Sequence, residues 1–206
     1  MTTQATPTTR KRRDRGETRQ RLLDTALAVF ARNGYERATV DEIVREAGFS
    51  KGAFYVHFES KEDLFWEMLQ ERIDKQQEMF RQAIDPSLSV EENEKRILEV
   101  VFDSHEDAMG PAVFLEFAAH GMRNEKVRER LEEMYARWHA FVVETLENGH
   151  ALGLVRQDVD IPLLASVIMA VMEGGMIQSR LAPEHLRLNR RVDDFARLLS
   201  DLITRR

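Results

Sequence analysis

The sequence predicts an all-α protein of about nine helices, and three observations carry that prediction. Apolar residues recur at threes and fours along almost the whole chain. Cap signals stand where such runs begin, as at Thr39-Val-Asp-Glu42, Ser89-Val-Glu-Glu92 and Asp160 before Ile161-Pro162. Five Pro and ten Gly in 206 residues are too few for a turn-dense all-β chain. With 43% hydrophobic residues there is material for a real core, spread over one large domain or two small ones. The absence of Cys excludes a disulfide framework, a thiolate zinc site and a cysteine nucleophile. The first apolar run follows a basic stretch and is already amphipathic, which argues against a secretory signal. The longest near-continuous apolar run, Ile161 to Met172, is interrupted by Ser166 and reads as too short for a membrane span. A soluble, cytoplasmic protein with no membrane partner is the expectation.

In chain order, residues 1–17 read as a disordered arm, polar to Thr9 and basic from Arg10 to Arg15. Helical periodicity begins at Thr18, with Leu22, Leu23, Ala26, Leu27 and Phe30 on one face and Gly34 as its stop. Thr39 caps a short helix bearing Val40, Ile43, Val44 and Ala47, which Gly48 ends. Ser50 caps a second short helix over about Lys51 to His57. Ser60-Lys-Glu-Asp63 opens a long fourth helix with Leu64, Phe65, Met68 and Leu69 inside. That helix is polar all round from Asp74 to Glu78, as expected of a helix bridging two bodies, before Met79, Phe80 and Ile84 resume an apolar face. Further helices are expected near 97–108, 111–120 after the Gly110-Pro111 break, 124–148, 161–180, and a last one bearing Val192 to Leu202. Gly149 and Gly153 close the helix before Asp160. The domains so delimited are 18–65 and 66–206.

Charge divides the chain in the same way. Residues 1–61 hold twelve Lys/Arg against eight Asp/Glu, while the rest hold eighteen against twenty-eight, so a basic head precedes an acidic body. This pattern suggests a polyanion partner for the head. Two short helices joined by Ala47-Gly48-Phe49-Ser50 have the form of a helix-turn-helix. At 100° per residue, Phe54 and Phe58 face the core, and Gly52 and Val56 lie roughly opposite with Ala53 beside them. Gly52 lets the backbone approach a groove floor, Ala53 and Val56 match thymine methyl groups, and Lys51 reaches a guanine edge or a phosphate. Tyr55 and His57 flank this face as phosphate donors. Thr39 and Lys61 stand at helix starts, where free amides favour an anion. Thr39, Ser50 and Ser60 are also plain helix caps, a role that needs no DNA.

The stretch ARNGYERATVDEIVREAGFSKGAFYVHFESKEDLF, Ala31 to Phe65, resembles the DNA-binding domain of the TetR family, and the resemblance spans residues 18–65. It implies base contacts at Lys51, Gly52 and Ala53, and phosphate contacts at Thr39, Tyr55, His57 and Lys61. Ser50 and Val56 join them in the expected double-stranded DNA interface. The resemblance also implies a homodimer built on the last two helices, which here carry Leu164, Val167, Ile168, Val171 and Met172 on one and Val192, Phe195, Leu199 and Leu202 on the other.

It implies, further, an effector site among the fourth helix and the helices behind it. Phe102, Met109, Phe114, Phe117, Met134, Trp138, Phe141, Met169 and Met172 supply an apolar, adaptable lining for a hydrophobic small molecule. His105, Glu116, His120, His139, Glu173 and Gln178 are polar groups available to orient it. Gly174-Gly175, costly inside a helix, permits either close helix contact at the dimer or a bend beside the ligand. No cofactor or metal is expected, since the metal spacings and catalytic motifs of known enzyme classes are missing. The expected function is that of a ligand-responsive regulator, repressor rather than activator. The alternatives are a DNA-binding factor whose rear domain takes a protein partner and, less favoured, an enzyme.

Overall fold

The computed structural model describes residues 7–103, 111–182, 184 and 190–204. Those residues form nine α-helices and no strand: α1 Pro7–Asn33, α2 Val40–Ala47, α3 Lys51–Tyr55, α4 Lys61–Ala83, α5 Val90–Asp103, α6 Pro111–Gly121, α7 Glu125–Ala151, α8 Ile161–Leu181 and α9 Val192–Thr204. The chain divides into two compact units, Met1–Ile73 with Ala108–Phe117, and Asp74–Asp107 with Ala118–Arg206. The first division falls in α4 at the start of its polar stretch, beyond the expected boundary at residue 65. The second falls inside α6, whose nearly continuous apolar sequence gives no sign of it.

Three local features differ from expectation for identifiable reasons. Helix α1 starts at Pro7 and not at Thr18. Pro7 has its φ preset for a first helical turn, and the Arg and Lys residues that follow are strong helix formers. Helix α3 stops at Tyr55, and the chain closes with a turn in which the His57 and Phe58 amides both donate to Phe54 O, at 2.8 and 3.0 Å. Helix α7 runs through Gly149 to Ala151. Gly149 is there to let the following loop fold back, because a Cβ would lie 2.9 Å from Val155 Cγ2. Gly153, at φ +74°, makes the actual stop.

In the N-terminal unit Leu22, Ala26, Val29 and Phe30 of α1 are wholly buried with Ile43, Phe54, Leu64 and Phe65. Around Phe117 the rings of Phe65, Tyr35 and Trp66 gather with centroids at 4.2, 5.0 and 5.3 Å. Arg19 ties α1 to α4 by donating to Glu67 and Glu71. In the C-terminal unit α5 packs on α9 and α7 on α8. Leu98, Ala196 and Leu199 form one buried group, and Leu146, Val155, Leu164, Ala165 and Ile203 another. Ser89 and Glu92 complete a reciprocal cap at the start of α5, with Glu92 N–H donating to Ser89 Oγ at 3.2 Å and Ser89 N–H to Glu92 Oε2 at 2.9 Å. The Ser89 hydroxyl, donating to Glu92 Oε2 at 2.6 Å, and then the Ser89 amide hold the Glu92 carboxyl below its ordinary range.

Helix α8 is longer and more apolar than the run Ile161 to Met172 implies. Over Ile161–Ser179 it is long and apolar enough to cross a bilayer by length and composition, yet only 11% of that stretch is buried within the chain.

Candidate functional site

Helix α3 is held from both ends. Thr39 Oγ1 accepts from Glu42 N–H at 3.2 Å and starts α2; Gly48 ends it at φ +77°, where Phe49 N–H reaches Val44 O at 2.8 Å. Ser50 Oγ then accepts from Ala53 N–H at 3.1 Å, fixing the first turn of α3. Thr39 and Ser50 are therefore caps, and each hydroxyl keeps its own proton to donate. Phe54 and Phe58 are buried, whereas Tyr55 and Val56 are 55% and 58% exposed. Lys51 and Gly52 are exposed as well, with Ala53 and His57 half-buried. Lys51 Nζ pairs with Asp41 at 2.8 Å in an exposed ion pair, which a phosphate or guanine edge can displace at small cost. Burial, then the charges of Arg15 and Arg19, hold the His57 imidazole below its ordinary pKa, with Glu67 opposing.

Lys61 is placed otherwise than expected. Its ammonium turns inward to the loop between α1 and α2, donating to Tyr35 O at 2.7 Å, Ala38 O at 3.0 Å and Glu36 O at 3.3 Å. It also lies 4.4 Å from the centroid of the Tyr35 ring. Three donors face three carbonyls, so no N–H remains for a phosphate. Burial lowers its pKa, opposed by Glu36 and Glu116. The same loop's amides are taken by Glu116 of α6, which accepts from Tyr35 N–H at 3.0 Å and Glu36 N–H at 2.9 Å.

The expected effector residues scatter. Trp138, Phe141 and Met172 are brought together with Phe80, Ile97 and Val100 in the C-terminal unit. The Trp138 ring lies 5.6 Å from that of Phe80 and 5.7 Å from that of Phe141, and the Arg81 guanidinium stands 4.9 Å from the Phe141 centroid. Glu173, next to Met172, accepts from the Tyr135 hydroxyl; burial raises its carboxyl pKa and this bond opposes the rise. Burial alone pushes the Glu94 carboxyl of α5 up to about 7. Met134 is buried and Met169 half-buried. Phe117, by contrast, fills the aromatic core of the N-terminal unit, and Phe114 belongs to the same unit. His120 stands 3.5 Å from Asn124 Nδ2 at the start of α7, and His139 Nε2 lies 2.9 Å from Pro162 O. Gln178 is exposed. Phe102 lies on α5, but its side chain, with all of His105 and Met109, falls outside the described residues.

The expected interface residues separate by helical phase. Leu164 and Leu199 are buried in the core groups of the chain itself. Ile168, Val192 and Phe195 are half-buried against those same groups. Val167, Val171 and Leu202 are exposed, joined by Leu163 at 62% and Leu198 at 66%.

Residues 22–68 match the family of bacterial regulatory proteins called tetR, and residues 90–204 match the C-terminal domain of BetI-type transcriptional repressors. The chain belongs to the TetR family. It is 30% identical to the HTH-type transcriptional regulator YdgC of Bacillus subtilis (strain 168), over 76% of this chain and 78% of that protein. GusR of Salmonella enterica superposes with a TM-score of 0.72 at 25% identity, covering 90% of this chain and 96% of that one. A transcriptional regulator from Saccharomonospora viridis, solved in complex with choline, superposes at 0.71 with 25% identity over 88% and 96%. The protein is thus a DNA-binding transcriptional regulator with the TetR helix-turn-helix.

For this TetR-family regulator, reading the sequence missed Asp41 as the partner of Lys51, Leu163 and Leu198 as exposed apolar residues, and Glu116 as a ligand of backbone amides in the head. A one-residue change of helical phase recovers the two leucines. No local signal points from Glu116 to Tyr35 across 81 positions.

Proposed function

We propose that this regulator is a homodimeric repressor of the bacterial cytoplasm, released from a near-palindromic operator by a mostly apolar small molecule. The observation that carries ligand control is the Trp138–Phe141–Phe80 group beside Met172, one residue from the half-buried Glu173–Tyr135 pair. Apolar surface with one convergent polar pair is the usual make-up of a small-molecule site. Met134 and Met169 add adaptable side chains on α7 and α8. The choline-bound relative supports a small molecule as effector, since that protein of similar fold was solved with one.

Dimerisation rests on Leu163, Val167 and Val171 of α8 and Leu198 and Leu202 of α9, exposed apolar side chains that a second copy would cover. Gly174, whose Cβ would meet nothing within 4 Å, shows no packing need of its own in the chain and suits the close approach of a second helix. On the operator, Lys51, Gly52, Ala53 and Val56 read bases, while Thr39, Ser50, Tyr55 and His57 position phosphates.

The test uses a duplex selected by the protein from a random pool, with Trp66→Phe leaving Trp138 as the single indole. Choline and a panel of hydrophobic compounds are titrated in. A compound that shifts Trp138 emission and releases the duplex, with Trp138→Ala weakening the compound but not the duplex, supports the proposal. If none does both, the rear domain is a packed core serving a protein partner.

A further inference from the structure

We propose that Glu116 is a positioning residue through which α6 governs the loop carrying the DNA-reading helices. The inference extends the ligand control proposed above and rests on it for its purpose, though not for its geometry. The loop Gly34 to Ala38 leads directly into Thr39, the cap of α2. Glu116 Oε2 and Oε1 accept from the consecutive amides of Tyr35 and Glu36, one oxygen to each. This two-point, charge-assisted grip fixes direction as well as distance.

Its approach requires glycine at 34. That residue sits at φ +77°, and a Cβ there would lie 2.6 Å from Glu116 Oε2. The neighbouring Phe117 ring, among Tyr35, Phe65 and Trp66, anchors α6 without specifying its register, because apolar packing tolerates sliding more readily than paired hydrogen bonds do.

The other end of α6 meets α7 with equal closeness. A Cβ on Gly121 would stand 2.4 Å from Leu131 Cδ1 and 3.3 Å from Val127 Cγ1. Helix α7 also carries Tyr135, Trp138 and Phe141. Glu116 and Gly121 lie on one short helix, about 7–8 Å apart at 1.5 Å per residue, so a shift imposed at Gly121 is delivered to Glu116 with little loss. A shift of about 1 Å stretches both loop bonds past the hydrogen-bonding range. The grip then opens, and the loop before α2 loses its amide partners while Lys61 still holds its carbonyls.

The experiment is a double-mutant cycle in the full chain. Gly121→Val or Leu131→Ala perturbs the far end of α6, and Glu116→Ala removes the grip. Hydrogen exchange at the Tyr35 and Glu36 amides is read, together with affinity for the duplex that the wild-type protein selects from a random pool. In the Glu116 background each far-end variant speeds loop exchange about tenfold and changes duplex affinity at least about fivefold. In the Glu116→Ala background exchange starts fast, and either variant moves both readouts by less than about twofold. Equal effects in the two backgrounds, or wild-type loop exchange in the far-end variants, overturn the proposal. Leu131→Ala decides if Gly121→Val does not fold. The exchange arm needs neither effector nor DNA, so it stands even if no compound releases the duplex.

Discussion

Lys61→Met replaces an ammonium by a methyl thioether of similar reach and leaves three loop carbonyls without their donor. The bonds to Tyr35 O and Ala38 O, at 2.7 and 3.0 Å, are partly buried, and the third, to Glu36 O at 3.3 Å, is exposed. An acceptor left unsatisfied in the interior costs about 1–3 kcal/mol, and water regains part of that at the rim. Two such losses give about 2–4 kcal/mol for the head. The assay is urea unfolding of the full chain in a Trp138→Phe background, read by Trp66, which lies in the N-terminal unit against Phe117. With a slope of about 2 kcal/mol/M the midpoint falls by about 1–2 M. The salt dependence of duplex binding, measured where the variant is folded, keeps its wild-type slope because no phosphate contact is lost. A variant as stable as wild type, with the slope reduced by about one unit, would show that Lys61 contacts a phosphate and would refute the clamp.

Three further outcomes are expected. Leu198→Glu, at a site already 66% exposed, should leave the subunit folded by circular dichroism while light scattering shows a monomer; an unchanged dimer excludes this face. His57, depressed by burial, Arg15 and Arg19, takes up a proton more readily beside a phosphate, so duplex affinity should rise as pH falls through and below 6.5. His57→Gln should abolish that dependence, and a profile identical to wild type would remove His57 from the interface. Glu94, pushed up to about 7 from 4.5, keeps a proton in the folded chain that the unfolded chain releases, so its contribution to stability is lost as pH rises through that window. Glu94→Gln should flatten this loss and stabilise the C-terminal unit at pH 8 by up to about 3 kcal/mol in thermal unfolding; an unaltered pH profile would mean that Glu94 is solvated.

The helices were legible because each carries its own evidence. Periodicity marked the inner face of α2, and Thr39, Ser50, Ser89 and Asp160 marked starts that the backbone uses. The phase of α3 was legible, since Phe54 and Phe58 are buried as expected, but its end, at Tyr55 and not His57, was not. Side-chain destinations were less so. Lys61 reads as a free charge at a helix start, yet its long stem lets the ammonium turn back to carbonyls more than twenty positions earlier. In α6 the sequence PAVFLEFAAHG is apolar nearly all round, so periodicity could not show that Phe117 and Glu116 serve the head. In α8 the apolar residues also cover more than one face. Leu163 and Leu164 look alike in sequence, and only packing against Leu146 and Ile203 decides which one is inside.

In the proposed function two copies of this chain, joined through α8 and α9, read DNA with α3 and let go when the rear domain is occupied. The stoichiometry and symmetry of the complex with a selected duplex test it most directly. Sedimentation should give two subunits on one duplex, and hydroxyl-radical footprinting should give two protected half-sites related by a dyad, both lost in Lys51→Ala. One subunit protecting one half-site with full affinity, or an enriched sequence without two-fold symmetry, would contradict the account.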